Sequence, residues 1–154
     1  MQKLLLAFTA ILWLTKVVSA QTETPLELSA TTNQTPSFIL TDPKEVLKHD
    51  GELVSVEGCV ASAKLKEQVN GKPIFLDMFV AYPNNILTVA IWEDDQPKFL
   101  SAAEYDKKMV RITGKAKKKE FAQPGKAPQE RVTISLHDPK QITILGDCPA
   151  VSRQ

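Results

Sequence analysis

Residues 73–92 read PIFLDMFVAYPNNILTVAIW. The first seven alternate: Ile74, Leu76 and Met78 fall on one face of an extended chain, and Phe75, Asp77 and Phe79 fall on the other. Residues 86–92 alternate again, with Leu87, Val89 and Ile91 against Thr88, Ala90 and Trp92. Between them Tyr82-Pro83-Asn84-Asn85 carries turn chemistry, so the stretch predicts two antiparallel strands, each with one apolar face.

Working outward, residues 53–63 (LVSVEGCVASA) form a longer β-prone run in which Gly58 signals a bulge or bend. Asp42-Pro43 predicts a short helix before it, ended by Gly51. On the other side, residues 94–105 read as a helix capped by Asp94 or Asp95, with Pro97 in its first turn. Residues 109–116 give a fourth strand and 131–136 a fifth. Residues 117–130 read as a long loop turning at Pro124-Gly125, and 141–145 extend the fifth strand or add to it. Three strands, a helix and two strands, led by a long bent strand, fit an all-β protein with the five-stranded Greek-key barrel of the OB-fold. One helix then lies between strands three and four, with a short N-terminal helix ahead of the barrel. Another small barrel or sandwich satisfies the same pattern.

The rest of the chain sets the context. Of 154 residues, 43% are hydrophobic and 24% charged, which excludes a wholly disordered chain, and the length suits one domain. Residues 1–20 (MQKLLLAFTAILWLTKVVSA) combine Lys3, the apolar run 4–14 and the small-residue site Val18-Ser19-Ala20. This is the pattern of a cleaved signal peptide, too short for a membrane span of about 20 residues. The expected location is therefore the periplasm or the external medium, with no stable membrane span after cleavage. Loss of Lys3 and Lys16 leaves 19 − 2 = 17 basic residues against 18 acidic, a charge of −1, which excludes a bulk nucleic-acid condenser. Residues 21–37 form a polar leader, with a weak glycosylation triplet at Asn33-Gln34-Thr35. The domain spans 38–148, and 149–154 are a tail. In an exported chain, Cys59 and Cys148 pair most simply as a disulfide, with two free thiols as the alternative.

Several pieces resemble a known group. Residues 51–58 (GELVSVEG), 71–78 (GKPIFLDM), Tyr82 to Trp92, 110–115 (VRITGK) and 138–142 (DPKQI) resemble bacterial exported OB-fold domains of the tRNA-anticodon-like type. That resemblance covers about residues 43–145. More distantly, residues 74–78 (IFLDM) are similar to a strand motif in the anticodon-binding barrel of class II aminoacyl-tRNA synthetases. The resemblance implies that Phe75 stacks on a base, assisted by Lys64 and Thr88. Phe79 departs from the motif, standing where those synthetases usually carry Arg, and the chain has no synthetase catalytic domain.

From the residues themselves, Phe75 and Phe79 share a strand face, joined by Thr88 and Trp92 if the two strands pair. Such aromatics stack on bases, although large aromatics such as Trp92 also serve as core or rim. Lys107, Lys108, Arg111, Lys115, Lys117, Lys118 and Lys119 lie close together without an acid between them. Arg111 and Lys115, with Lys64, are the expected phosphate contacts, and Lys126 and Arg131 flank the loop that follows. A solvated basic edge that discourages strand aggregation is the competing role. His49 and His137 show no metal-ligand spacing, and no nucleophile motif or phosphate loop is present, so neither catalysis nor a cofactor is expected. The expected partner is single-stranded DNA or RNA. The alternative is an envelope or secreted protein, or a glycan, bound by the same barrel.

Overall fold

The computed structural model describes residues 39–122, 125 and 127–150. The chain divides into two units, 1–32 and 33–154, and the described residues belong to the second. The expected signal peptide, leader and glycosylation triplet, Phe38, Pro124, Lys126 and the end of the tail lie outside the described residues.

Among the described residues, seven strands make one sheet: β1 Ile39–Leu40, β2 Leu53–Leu65, β3 Ile74–Met78, β4 Leu87–Ile91, β5 Lys108–Phe121, β6 Gln129–Leu136 and β7 Ile142–Asp147. The order β2-β3-β4-β6-β5 closes on itself through the β2–β5 pairing, with β4 and β6 parallel and the other neighbours antiparallel. That closed order is the OB-fold. β1 adds in parallel to β2, and β7 adds to β5.

The alternation read from the sequence is the alternation that fills the barrel. Ile74, Leu76 and Met78 of β3 and Leu87, Val89 and Ile91 of β4 are buried. Val54, Val56 and Val60 of β2, Val110 and Ile112 of β5, and Val132, Ile134 and Leu136 of β6 complete the core. Each strand shows its other face outward.

Four local expectations are corrected. The expected helix over 94–105 is broken in two: a 3₁₀ turn at Gln96–Lys98, then α2 at Ala102–Tyr105. Phe99 is extended, and Ser101 starts a fresh capping box with Glu104, whose carboxylate accepts from the Ser101 N–H and Oγ–H. Asp95 caps nothing with its side chain, because its carboxylate is taken by Lys98 and His137 instead. The expected loop over 117–130 is mostly strand: β5 continues to Phe121 and β6 begins at Gln129, paired from Ala116–Ile134 out to Phe121–Gln129. The bulge of β2 lies between Val60 and Ser62, not at Gly58. Gly58 instead admits the Phe79 ring, since a Cβ there would stand 2.6 Å from Phe79 Cζ. The short N-terminal helix α1 spans Pro43–Val46, with the Asp42 carboxylate accepting from the Lys44 N–H.

Cys59 and Cys148 form a disulfide. It joins the middle of β2 to the residue that follows β7. Beside it the Cys148 N–H donates to the Lys107 carbonyl (2.9 Å) and the Lys107 N–H donates to the Val60 carbonyl (3.1 Å).

Candidate nucleic-acid interface

The barrel registers place outward residues of β2, β3, β4, β6 and β5 in two cross-strand rows. One row runs Lys64, Phe75, Ala90, Ser135, and the other Asp77, Thr88, Thr133, Lys117. All members of the two rows except the fully buried Ala90 line one groove of about 910 Å³.

One end of the groove is aromatic. The rings of Phe75 and Trp92 meet edge to face, 6.4 Å between centroids. The Trp92 indole N–H donates to Ser135 Oγ at 3.2 Å, and the ring lies close over Gly71, where a Cβ would meet it at 3.1 Å. Ala90, opposite Phe75 and two residues before Trp92, is fully buried. Both rings are partly buried in the groove lining, with Trp92 held as its rim.

The centre is a polar knot. The Asp77 carboxylate accepts from Asn85 Nδ2 (3.0 Å), Thr88 Oγ1 (3.3 Å) and the Tyr82 N–H (3.2 Å), which ties the β3–β4 loop to both strands. Asn85 is buried and also donates to Thr88 Oγ1. Thr88 therefore lies in the groove with its hydroxyl already engaged.

The charge is supplied chiefly by Lys64, Lys66, Lys117 and Lys119, none of which enters an ion pair among the described residues; Asp77 and Glu120 are the acids of the lining. Lys118, of opposite parity on β5, is instead paired with Glu130 at 3.0 Å, which raises its pKa by hydrogen bond and charge. His137 also lines the groove; its Nδ1 lies 2.7 Å from Asp95 Oδ2. Lys98 and, after it, His137 hold the Asp95 carboxyl below its usual pKa.

Of the six residues expected to bind, the groove gathers Lys64, Phe75 and Thr88 and leaves out the other three. Phe79 does not share the face of Phe75: β3 ends at Met78, and Phe79 takes a left-handed φ of 64°, turning its ring onto Gly58. Arg111 pairs across β5–β2 with Glu57, donating from Nε at 2.5 Å. Lys115 stands opposite Leu53 on the same half of β5. That half closes the barrel against β2, while the half from Ala116 onward turns to β6 and carries Lys117 and Lys119 into the groove. The sequence did show Lys117 and Lys119, but a run of four polar residues without β-branching (Lys117 to Glu120) reads as loop, which hid their alternation. Among the described residues, no group of three His, Cys, Asp or Glu is placed to hold a metal ion, and no helix is long and apolar enough to cross a membrane.

No protein-family model and no curated protein matches the chain. Among solved structures it is similar to the aspartyl-tRNA synthetase of Entamoeba histolytica: 15% identity and a TM-score of 0.45, over 76% of this chain and 24% of that one. It is also similar to the asparaginyl-tRNA synthetase of the same organism, solved with asparaginyl-adenylate: 13% identity and a TM-score of 0.40, over 75% of this chain and 25% of that one. The chain thus spans about a quarter of the length of those enzymes. The assignment to the OB-fold rests on its own strand order.

Proposed function

We propose that this chain is an exported, non-catalytic OB-fold module that binds single-stranded nucleic acid in the groove across β3, β4 and β6. One observation carries the reading: three exposed lysines from two separate stretches of chain, Lys64, Lys117 and Lys119, converge, without ion-pair partners among the described residues, on a groove that also holds the partly buried ring of Phe75. Exposed ammonium groups beside a solvent-accessible ring supply the two elements that sequence-tolerant single-strand binding needs: counterion release at phosphates and stacking on bases. The near-neutral overall charge by itself favours a protein or glycan partner, so the nucleic-acid reading rests on this local patch. The resemblance of residues 51–58, 71–78 and 82–92 to exported OB-fold domains points the same way. Export itself rests on residues 1–20.

The charge component is tested by fluorescence-anisotropy titration with a mixed-sequence single-stranded oligonucleotide at several salt concentrations. Three phosphate contacts give a slope of log K on log salt of about −2. Replacing Lys64, Lys117 and Lys119 together by Gln is expected to flatten that slope and weaken binding at low salt. Replacing Arg111 and Lys115 by Gln is expected to leave both nearly unchanged. A slope carried by Arg111 and Lys115 contradicts the groove. Absence of binding at low salt refutes the nucleic-acid reading and turns attention to protein or glycan partners.

A further inference from the structure

The groove has a second aromatic end, built from residues remote in sequence. Tyr82 comes from the β3–β4 loop, Phe121 is the last residue of β5, and Arg131 belongs to β6. The two rings meet edge to face, 6.3 Å between centroids. The Arg131 guanidinium carbon lies 4.3 Å from the centre of Phe121 and 5.3 Å from that of Tyr82. Tyr82 and Phe121 are 58% and 41% exposed, whereas Arg131 is only 8% exposed. Nη2 of Arg131 donates to the Pro83 carbonyl and, at 3.4 Å, to Gln129 Oε1. Its Nε is buried with no hydrogen-bond partner among the described residues.

A soluble domain gains nothing in stability from two large rings left in water, and a buried guanidinium N–H without an acceptor is costly. A planar heterocycle stacked on one of the two rings covers the open ring surface, whereas the buried Nε lies beneath the rings and out of its reach. The cation beneath the rings holds them in place through cation–π contact. Lys119, opposite Arg131 in the β5–β6 ladder, is exposed and supplies a charge for the adjoining phosphate.

We propose that Tyr82, Phe121 and Arg131 form a second base-stacking subsite, with Lys119 on the neighbouring phosphate, so that a single strand is gripped at two points. The inference deepens the nucleic-acid reading and rests on it. The ladder runs from Phe75 across two strands to Ser135, then along β6 to Arg131. At about 4.8 Å per strand and about 3.3 Å per residue, the two subsites lie about 16 Å apart. A dinucleotide then occupies one subsite at a time. A strand of about four nucleotides or more, the lower end of the usual OB site size, reaches both.

The test is competition anisotropy on the full chain with a thymidine dinucleotide and a thymidine octanucleotide. Phe121→Leu and Tyr82→Leu remove exposed rings, and urea midpoints near wild type confirm that the barrel is intact. For the octanucleotide, Phe121→Leu and Phe75→Ala are each expected to weaken binding by about 5- to 100-fold. For the dinucleotide each is expected to weaken it by no more than about twofold, since the remaining subsite still holds it. Octanucleotide binding that needs Phe75 but is unchanged in both Phe121→Leu and Tyr82→Leu overturns the second subsite and leaves the groove standing. Wild-type protein that binds neither oligonucleotide overturns the nucleic-acid reading and this inference with it.

Discussion

Replacing Cys59 and Cys148 by serine is expected to cost about 4.6 kcal/mol of stability in the chain-entropy account of a 90-residue closed loop. The geometry explains why so much depends on one bond. Among the described residues, β7 pairs with β5 and no other strand, at one edge of the sheet. Its C-terminal end is secured by the bridge to β2 and by the Cys148 N–H to Lys107 hydrogen bond. Without the bridge, β7 is the first element expected to fray, leaving the β5 backbone edge from Lys108 to Ile112 unpaired. Urea unfolding of the native chain with and without reductant, alongside the double serine variant, measures the effect. A midpoint that moves by less than the equivalent of about 1 kcal/mol would contradict a structural role for the disulfide.

The second large effect comes from two adjacent residues of β3 and separates folding from binding. Leu76 is fully buried between Ala63 of β2 and Val89 of β4. Leu76→Ala is expected to cost about 2–5 kcal/mol of stability through lost transfer energy and the cavity left behind. Phe75, one residue earlier, faces the groove, and its main partner is the edge-to-face ring of Trp92. Phe75→Ala is expected to lose a smaller share of stability, including about 0.5–1.5 kcal/mol from the aromatic pair, while losing about 1–3 kcal/mol of oligonucleotide affinity. Denaturation and anisotropy on the same two variants check the pattern. If Phe75→Ala proved as destabilising as Leu76→Ala, with affinity unchanged in its folded fraction, Phe75 would be a core residue and no platform.

The contrast between these two residues shows what was legible beforehand. Period-two alternation in 73–79 and 86–92 is a local property of the chain, and it gave the faces of β3 and β4 and most of the barrel interior. The helix-like interval after Trp92 suggested the OB order of strands, although another small barrel or sandwich satisfied the same pattern. What remained hidden depends on where the chain bends. Phe79 continues the alternation on paper, but Gly58 lies against it in space and leaves room for its ring, so the strand stops one residue short. Arg111 and Lys117 have the same parity on β5, yet the strand passes from β2 to β6 between them, so they end on different sides of the barrel. Tyr82, Phe121 and Arg131 carry no common sequence signal at all, because only barrel closure brings them together. The bond between Cys59 and Cys148 was the simplest reading of two cysteines behind the signal-like residues 1–20, with free thiols as the alternative, whereas its role in holding β7 was not readable.

The central claim, that ligand occupies the outer face of β3, β4 and β6, is met most directly by amide chemical-shift mapping of residues 21–154 titrated with a single-stranded oligonucleotide. The account predicts shifts concentrated at Lys64, Phe75, Thr88, Trp92, Lys117 and Thr133, with the Trp92 indole N–H among the most affected, and quiet signals at Glu57, Phe79 and Arg111. Shifts centred on Glu57, Phe79 and Arg111, with the groove silent, would contradict it.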